Sequence, residues 1–228
     1  MKKRYSNLLK TKISLLAGFL LMSGVSFGAF SGTYTIDATQ AASSTNYKSF
    51  TALFGDMYNS TRNDGGTANG SGVTGPVIVN VVKGTGPYTE QVTFYQYSGI
   101  SATNNIVING NGNTLQFSAT SSSTAHTVLF NGADFITIDN LVILATNATN
   151  GRNVHFMNDA RNNTISNCTL QMPNMTSTSS NNAYVCLTQG TSSMQTYGVY
   201  GQDNTITGCT MNAITNGGPY SAIAVMDE

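Results

Sequence analysis

The feature that most constrains this chain is a short segment that it repeats. Asn162-Asn163-Thr164-Ile165-Ser166-Asn167-Cys168-Thr169-Leu170-Gln171-Met172 returns as Asp203-Asn204-Thr205-Ile206-Thr207-Gly208-Cys209-Thr210-Met211. A more apolar copy precedes both, Ile138-Asp139-Asn140-Leu141-Val142-Ile143, and a fainter one is Ile108-Asn109-Gly110-Asn111. The shared isoleucine falls at 108, 138, 165 and 206, in steps of 30, 27 and 41 residues. Self-similarity at such periods marks stacked repeat architectures. Each copy is short, β-branched and broken by Asn or Gly, which favours strands joined by tight turns. None shows the i, i+3, i+4, i+7 apolar spacing of a helix. The expected fold is all-β: a right-handed, single-stranded parallel β-helix in which each copy is one coil.

Stacking gives individual positions a physical meaning. Asn140, Asn167 and Gly208 share one place, and Asn and Gly tolerate the left-handed backbone that a sharp turn needs. Asn side chains stacked there could bond to one another along the axis. Leu141, Cys168 and Cys209 share the next place; the leucine marks it as inward-facing, and a free thiol there acts as a small hydrophobe. The long step holds a Met/Ser/Thr/Asn stretch, Pro173 to Asn182, expected as a loop inserted into one coil.

Charged residues are only 9% of the chain, against ~25% in a typical soluble domain. Outer β-faces covered by neutral Thr, Ser and Asn account for that. Residues 1–28 read as a secretory signal peptide: Lys2, Lys3, Arg4, Lys10 and Lys12 precede an apolar run from Ile13 to Phe27, and Ser26 and Gly28 suit cleavage. The alternative is a retained N-terminal anchor, for which the run is short. The mature chain keeps Lys48, Arg62, Lys83, Arg152 and Arg161 against ten acids, a net charge of −5. Nucleic acid is therefore not an expected partner. Nor is a membrane span expected after cleavage. Three cysteines leave at least one thiol free, so disulfides are not expected to hold the fold.

Residues 29–75 are expected to form a strand at Thr33–Ile36, a helix over Tyr47–Tyr58 with Ser49 as its N-cap, and a Gly/Asn/Ser loop from Thr61 to Gly75. The helix is assigned as a cap over the open end of the β-helix. Residues 76–228 carry the coils: strands at Pro76–Val82, Tyr88–Phe94, Ile106–Asn109, Thr114–Phe117, Thr127–Phe130, Phe135–Leu144, Asn153–Met157, Ala183–Leu187 and Ser221–Met226. The apolar strand just before Asp227-Glu228 leads to the expectation that the chain is truncated at its C-terminus.

With these coils in view the chain resembles the pectate-lyase-like superfamily of secreted right-handed β-helices. More narrowly, it is similar to N-terminal repeats of large exported surface proteins of Bacteroidota-type bacteria. The segments that carry the likeness are Gly32-Thr33-Tyr34-Thr35-Ile36, Tyr47-Lys48-Ser49-Phe50, Gly75-Pro76-Val77, Gly86-Pro87-Tyr88-Thr89-Glu90-Gln91-Val92 and Asn131-Gly132-Ala133-Asp134-Phe135-Ile136-Thr137-Ile138. Gly86-x-Tyr88-x-Glu90 also resembles the opening motif of pectin methylesterases, and Asp134-Phe135-Ile136 part of their nucleophile segment. That family's later motifs are absent. The resemblance implies a secreted or surface-attached protein.

Two functions follow. The first is a non-catalytic extracellular β-helix module, structural or adhesive, facing cell-surface components and needing no cofactor. The alternative is a carbohydrate-active β-helix: a polysaccharide lyase or a module that binds extracellular glycans. A lyase needs carboxylates holding Ca²⁺ and a base that abstracts a proton. Its candidates here are Asp134, Asp139, Arg152, Asp159 and Arg161, scattered between strands and turns. Asp159 and Arg161 read rather as a solvated turn pair. Glycan binding would use Tyr95, Tyr97, Tyr184, Tyr197 and Tyr200 with the loop from Pro173 to Asn182. His126 and His155 stand alone, and no Cys/His spacing suggests zinc. His155, between Val154 and Phe156, should face away from the core.

Overall fold

The structure is a computed structural model describing residues 30–193, 198, 201–212 and 218–225. The segment expected as a signal peptide, Tyr197, Tyr200 and the last three residues lie outside the described residues. Strands come first: β1 (Phe30–Ile36) and β2 (Asn46–Tyr47). The helix α1 (Phe50–Asn59) follows. Then come β3 (Val73–Val81), β4 (Tyr88–Thr89), β5 (Val92–Tyr95), β6 (Ile106–Asn109), β7 (Thr114–Phe117) and β8 (His126–Asn131). They are followed by β9 (Ile136–Asp139), β10 (Val142–Ala145), β11 (Arg152–Met157), β12 (Thr164–Ser166), β13 (Thr169–Gln171) and β14 (Ala183–Leu187). The last described strands are β15 (Thr205–Thr207), β16 (Thr210–Asn212) and β17 (Ser221–Val225).

These strands make three parallel sheets. The first runs β2-β1-β3-β6-β9-β12-β15, the second β4-β7-β10-β13-β16 and the third β5-β8-β11-β14-β17. From β3 onward the chain therefore visits the three sheets in strict rotation. The repeat register is the expected one: Ile108 pairs with Ile138, Ile138 with Ile165 and Ile165 with Ile206. Val79 extends the column at its start.

β3, β6 and β9 bury alternate residues, so one face of the first sheet lines a common core, whereas β8, β11 and β14 of the third sheet are buried along nearly their whole length. The third sheet contributes a column of rings. Phe94 lies 5.0 Å from Phe130, which stacks on Phe156 at 4.6 Å. Turns follow from residue type. Asn140, Asn167 and Gly208 have φ of 51°, 52° and 64°, the left-handed geometry for which Asn and Gly are suited. The amide ladder expected at this turn is not formed there. Asn167 donates instead to Asp139 Oδ1 at 2.7 Å, because a carboxylate is the stronger acceptor. Amide ladders do form elsewhere, Asn109 to Asn80 at 2.8 Å and Asn163 to Asn204 at 3.0 Å.

The run Tyr88–Phe94 is not one strand. It breaks at Glu90-Gln91 and passes from the second sheet to the third. The Glu90 amide still donates to the Gln116 carbonyl at 3.0 Å, and its carboxylate serves α1. It accepts from the Phe50 and Thr51 amides at 3.1 and 2.8 Å and from the Thr51 hydroxyl at 2.6 Å. Ser49 caps the same end, accepting from the Ala52 amide at 3.0 Å. A carboxylate at a helix N-terminus also meets the positive end of the helix dipole. The apolar face of α1 continues the core columns: Phe54 meets Phe94 edge-on at 4.7 Å and Phe50 meets Tyr88 at 5.3 Å. Glu90→Gln keeps the shape but loses the charge. It should lower unfolding free energy by about 1–2 kcal/mol, seen as an earlier urea midpoint at unchanged slope. An unmoved midpoint would mean that the Glu90 charge does not help to hold the helix.

Candidate functional site

The five residues proposed for lyase chemistry fall into three separate places. Asp134, Asp159 and Arg161 meet in the turns that lead into β9 and β12. The Arg161 amide donates to Asp134 Oδ1 at 2.7 Å, and its guanidinium pairs with Asp159 at 2.6 Å. Both side chains of the ion pair are about 40% exposed, at 40% and 44%, so the pair is solvated. Burial raises the Asp134 carboxyl above its ordinary value, and the Asp159 charge acts in the same direction. Asp139 sits at the far end of β9, roughly 10 Å along the strand from Ile136. It accepts from Ser166 at 2.6 Å and from Asn167. Arg152 opens β11 in the third sheet and is fully buried. Among the described residues no group of three or more His, Cys, Asp or Glu side chains is placed to hold a metal ion.

Arg152 belongs instead to a buried polar cluster on the third sheet. It donates to the carbonyls of Asn181 at 3.1 Å and Thr191 at 2.6 Å. Its backbone pairs with His126, and the His126 and His155 rings lie 6.4 Å apart. His155 does alternate with the core residues Val154 and Phe156, yet it is buried rather than solvated. The Thr188 carbonyl covers it, 3.0 Å from Nε2. Arg152 Nη2 and the Nδ1 atoms of both histidines have no hydrogen-bond partner among the described residues. Burial and then the Arg152 charge push His126 down to about 4; His155, pushed down by the same causes in the same order, falls to about 3. Both rings are therefore neutral at pH 7.

The best-formed cleft lies between α1 and β5 and has a volume of ≈ 360 Å³. Tyr58, 45% exposed near the helix end, stacks on Tyr95 of β5 with ring centroids 4.2 Å apart and planes 21° from parallel. Their partnership follows from placement. The helix period carries Tyr58 to the rim of the apolar face, and strand alternation turns Tyr95 away from Phe94. Asn59, Asn63, Gln91 and Thr93 complete the wall. Gln91 is fixed by donating to the carbonyls of Thr124 and His126, both at 2.8 Å. No described lining residue is charged. The cleft can stack an apolar surface and hydrogen-bond hydroxyls, and it offers nothing to neutralise a charge. A second cleft of ≈ 540 Å³, at the turns around Lys83, Pro87 and Asn111, has no aromatic wall.

Of the tyrosines expected at a glycan groove, Tyr95 lines this cleft. Tyr97 is buried behind it, its ring edge-on to Tyr58 at 6.4 Å. Tyr184 is buried in β14, and the loop from Pro173 to Asn182 leads into that strand, apart from the cleft. Sequence reasoning missed Tyr58 because the helical period groups it with the apolar face. Its position at the end of the helix was the available signal. No protein-family model, curated protein or solved structure matches the chain.

Proposed function

We propose that this chain is a non-catalytic extracellular module, built as a right-handed single-stranded parallel β-helix with α1 as its cap, that adheres to neutral glycans through the cleft at Tyr58 and Tyr95. The observation that carries the glycan reading is the uncharged cleft with its half-exposed tyrosine stack. Sugars present apolar C–H faces ringed by hydroxyls. An aromatic platform with amide and hydroxyl neighbours matches both features. Low overall charge and the N-terminal signal-like segment support an extracellular setting. Strict rotation of the chain through three parallel sheets supports the β-helix. The continuation of two core columns by Phe50 and Phe54 supports α1 as the cap.

The test is a glycan array followed by calorimetric titration of any neutral oligosaccharide retained. Tyr58→Ala should weaken binding at least tenfold, which is about 1.4 kcal/mol, and should cost under about 1 kcal/mol of stability, as expected for a half-exposed ring. Equal affinity of the variant and the parent protein would remove the cleft from the account.

A further inference from the structure

We propose that Cys168 and Cys209 form an intrachain disulfide when the folded chain meets a disulfide oxidant, leaving Cys186 as the free thiol. The two residues occupy the same place on neighbouring rounds. Ser166 pairs with Thr207 before them and Thr169 with Thr210 after them. The Thr210 amide donates to the Cys168 carbonyl at 2.9 Å, so the register holds across the turn. In-register parallel neighbours lie about 4.8 Å apart, inside the ~4.4–6.8 Å range of Cα separations that a disulfide spans. The Cys209 thiol already points back onto the round that holds Cys168, donating to the Ile165 carbonyl at 3.5 Å. The Cys168 thiol points one round further, toward the Ile138 carbonyl at 3.6 Å, and also interacts with the Cys209 side chain. Forming the bond requires the Cys168 side chain to turn from the Ile138 carbonyl toward Cys209. Cys186 lies on β14 in the third sheet, beside Thr188, and does not enter this column.

The two thiols also differ in the way that stepwise exchange needs. Cys209 is partly exposed, whereas Cys168 is buried and its thiol is pushed up to about 12, first by burial. The Cys209 thiolate attacks the disulfide of the oxidant and releases one thiol. Cys168 then loses its proton and attacks the Cys209 sulfur of the mixed disulfide, releasing the second. Two protein thiols are oxidised, one oxidant disulfide is reduced to two thiols, and the protein loses two hydrogens. The cross-link closes a loop that includes Pro173–Asn182 and the cover over His155. Ordinary loop-closure reasoning makes it stabilising.

The experiment treats the purified full chain with oxidised glutathione at pH 8. Free thiols are then counted in denaturant and the intact mass is read. Expected are one reactive thiol in place of three, a mass lower by two hydrogens, and a melting temperature roughly 5–10 °C above the reduced chain. Cys186→Ser should retain the cross-link and leave no free thiol. Cys209→Ser should not form it. Three thiols after oxidation, a stable glutathione adduct at Cys209, or a cross-link that includes Cys186 would each overturn the proposal.

Discussion

Ile165→Asp should leave the chain unable to fold. Ile165 is fully buried, with Ile138 on one neighbouring strand and Ile206 on the other. Replacing it removes roughly 2–3 kcal/mol of apolar burial. It also places a carboxylate where no cation faces it, at a cost of several kcal/mol more. Whole domains are stable by only about 5–15 kcal/mol. The loss is not confined to one strand, because β12 pairs with β9 on one side and β15 on the other. Circular dichroism should show loss of the cooperative melt, and limited proteolysis should degrade the variant throughout. Near-parental melting would mean that Ile165 is outside the core and that the register is wrong.

The second large effect is on acid stability. His126 and His155 are neutral in the folded chain, and their folded values of about 4 and about 3 lie below the ~6.5 of an unfolded histidine. Between those values the unfolded chain binds more protons than the folded one. Their contribution is therefore fully present above pH ~6.5 and is lost as the pH falls toward the folded values. Each histidine should steepen the decline by up to about 1.4 kcal/mol per pH unit. Burial sets the direction and the Arg152 charge adds to it by opposing a second cation, while Cys186 and Thr188 supply no carboxylate to offset either. Asp64 adds to acid lability in a lower window. Burial would raise it, but the Arg62 guanidinium and the Lys48 and Gly66 amides together hold it at about 2, so its share is lost between pH ~4 and about 2. Urea unfolding of the parent protein and His155→Gln at pH 7, 6, 5 and 4 separates these. The variant should show the shallower fall from pH 6.5 to 4. Identical slopes would place the His155 proton elsewhere.

The repeat was legible because it is made of local chemistry. Asn and Gly at left-handed turns, Ile and Leu at fixed spacing and Ser49 before a helical period each announce themselves within a few residues. That sufficed for the register of Ile138, Ile165 and Ile206 and for the helix. Glu90 shows where such reading stops. Its partners, Phe50 and Thr51, lie 40 and 39 residues earlier, so no local pattern could reveal that its carboxylate holds a helix. The Tyr58–Tyr95 stack is hidden in the same way, between a helix and a strand of another round. His155 was rightly turned from the core by alternation, yet only the path of the chain at Thr188 decides that it is buried.

The proposed cleft at Tyr58 binds a neutral glycan and leaves it intact. The most direct measurement incubates the retained oligosaccharide with parent protein and with Tyr58→Ala, following both the bound fraction and new reducing ends over hours. Expected are saturable binding by the parent, at least tenfold weaker binding by the variant, and no new reducing ends with either. Steady release of reducing ends by the parent protein would contradict it.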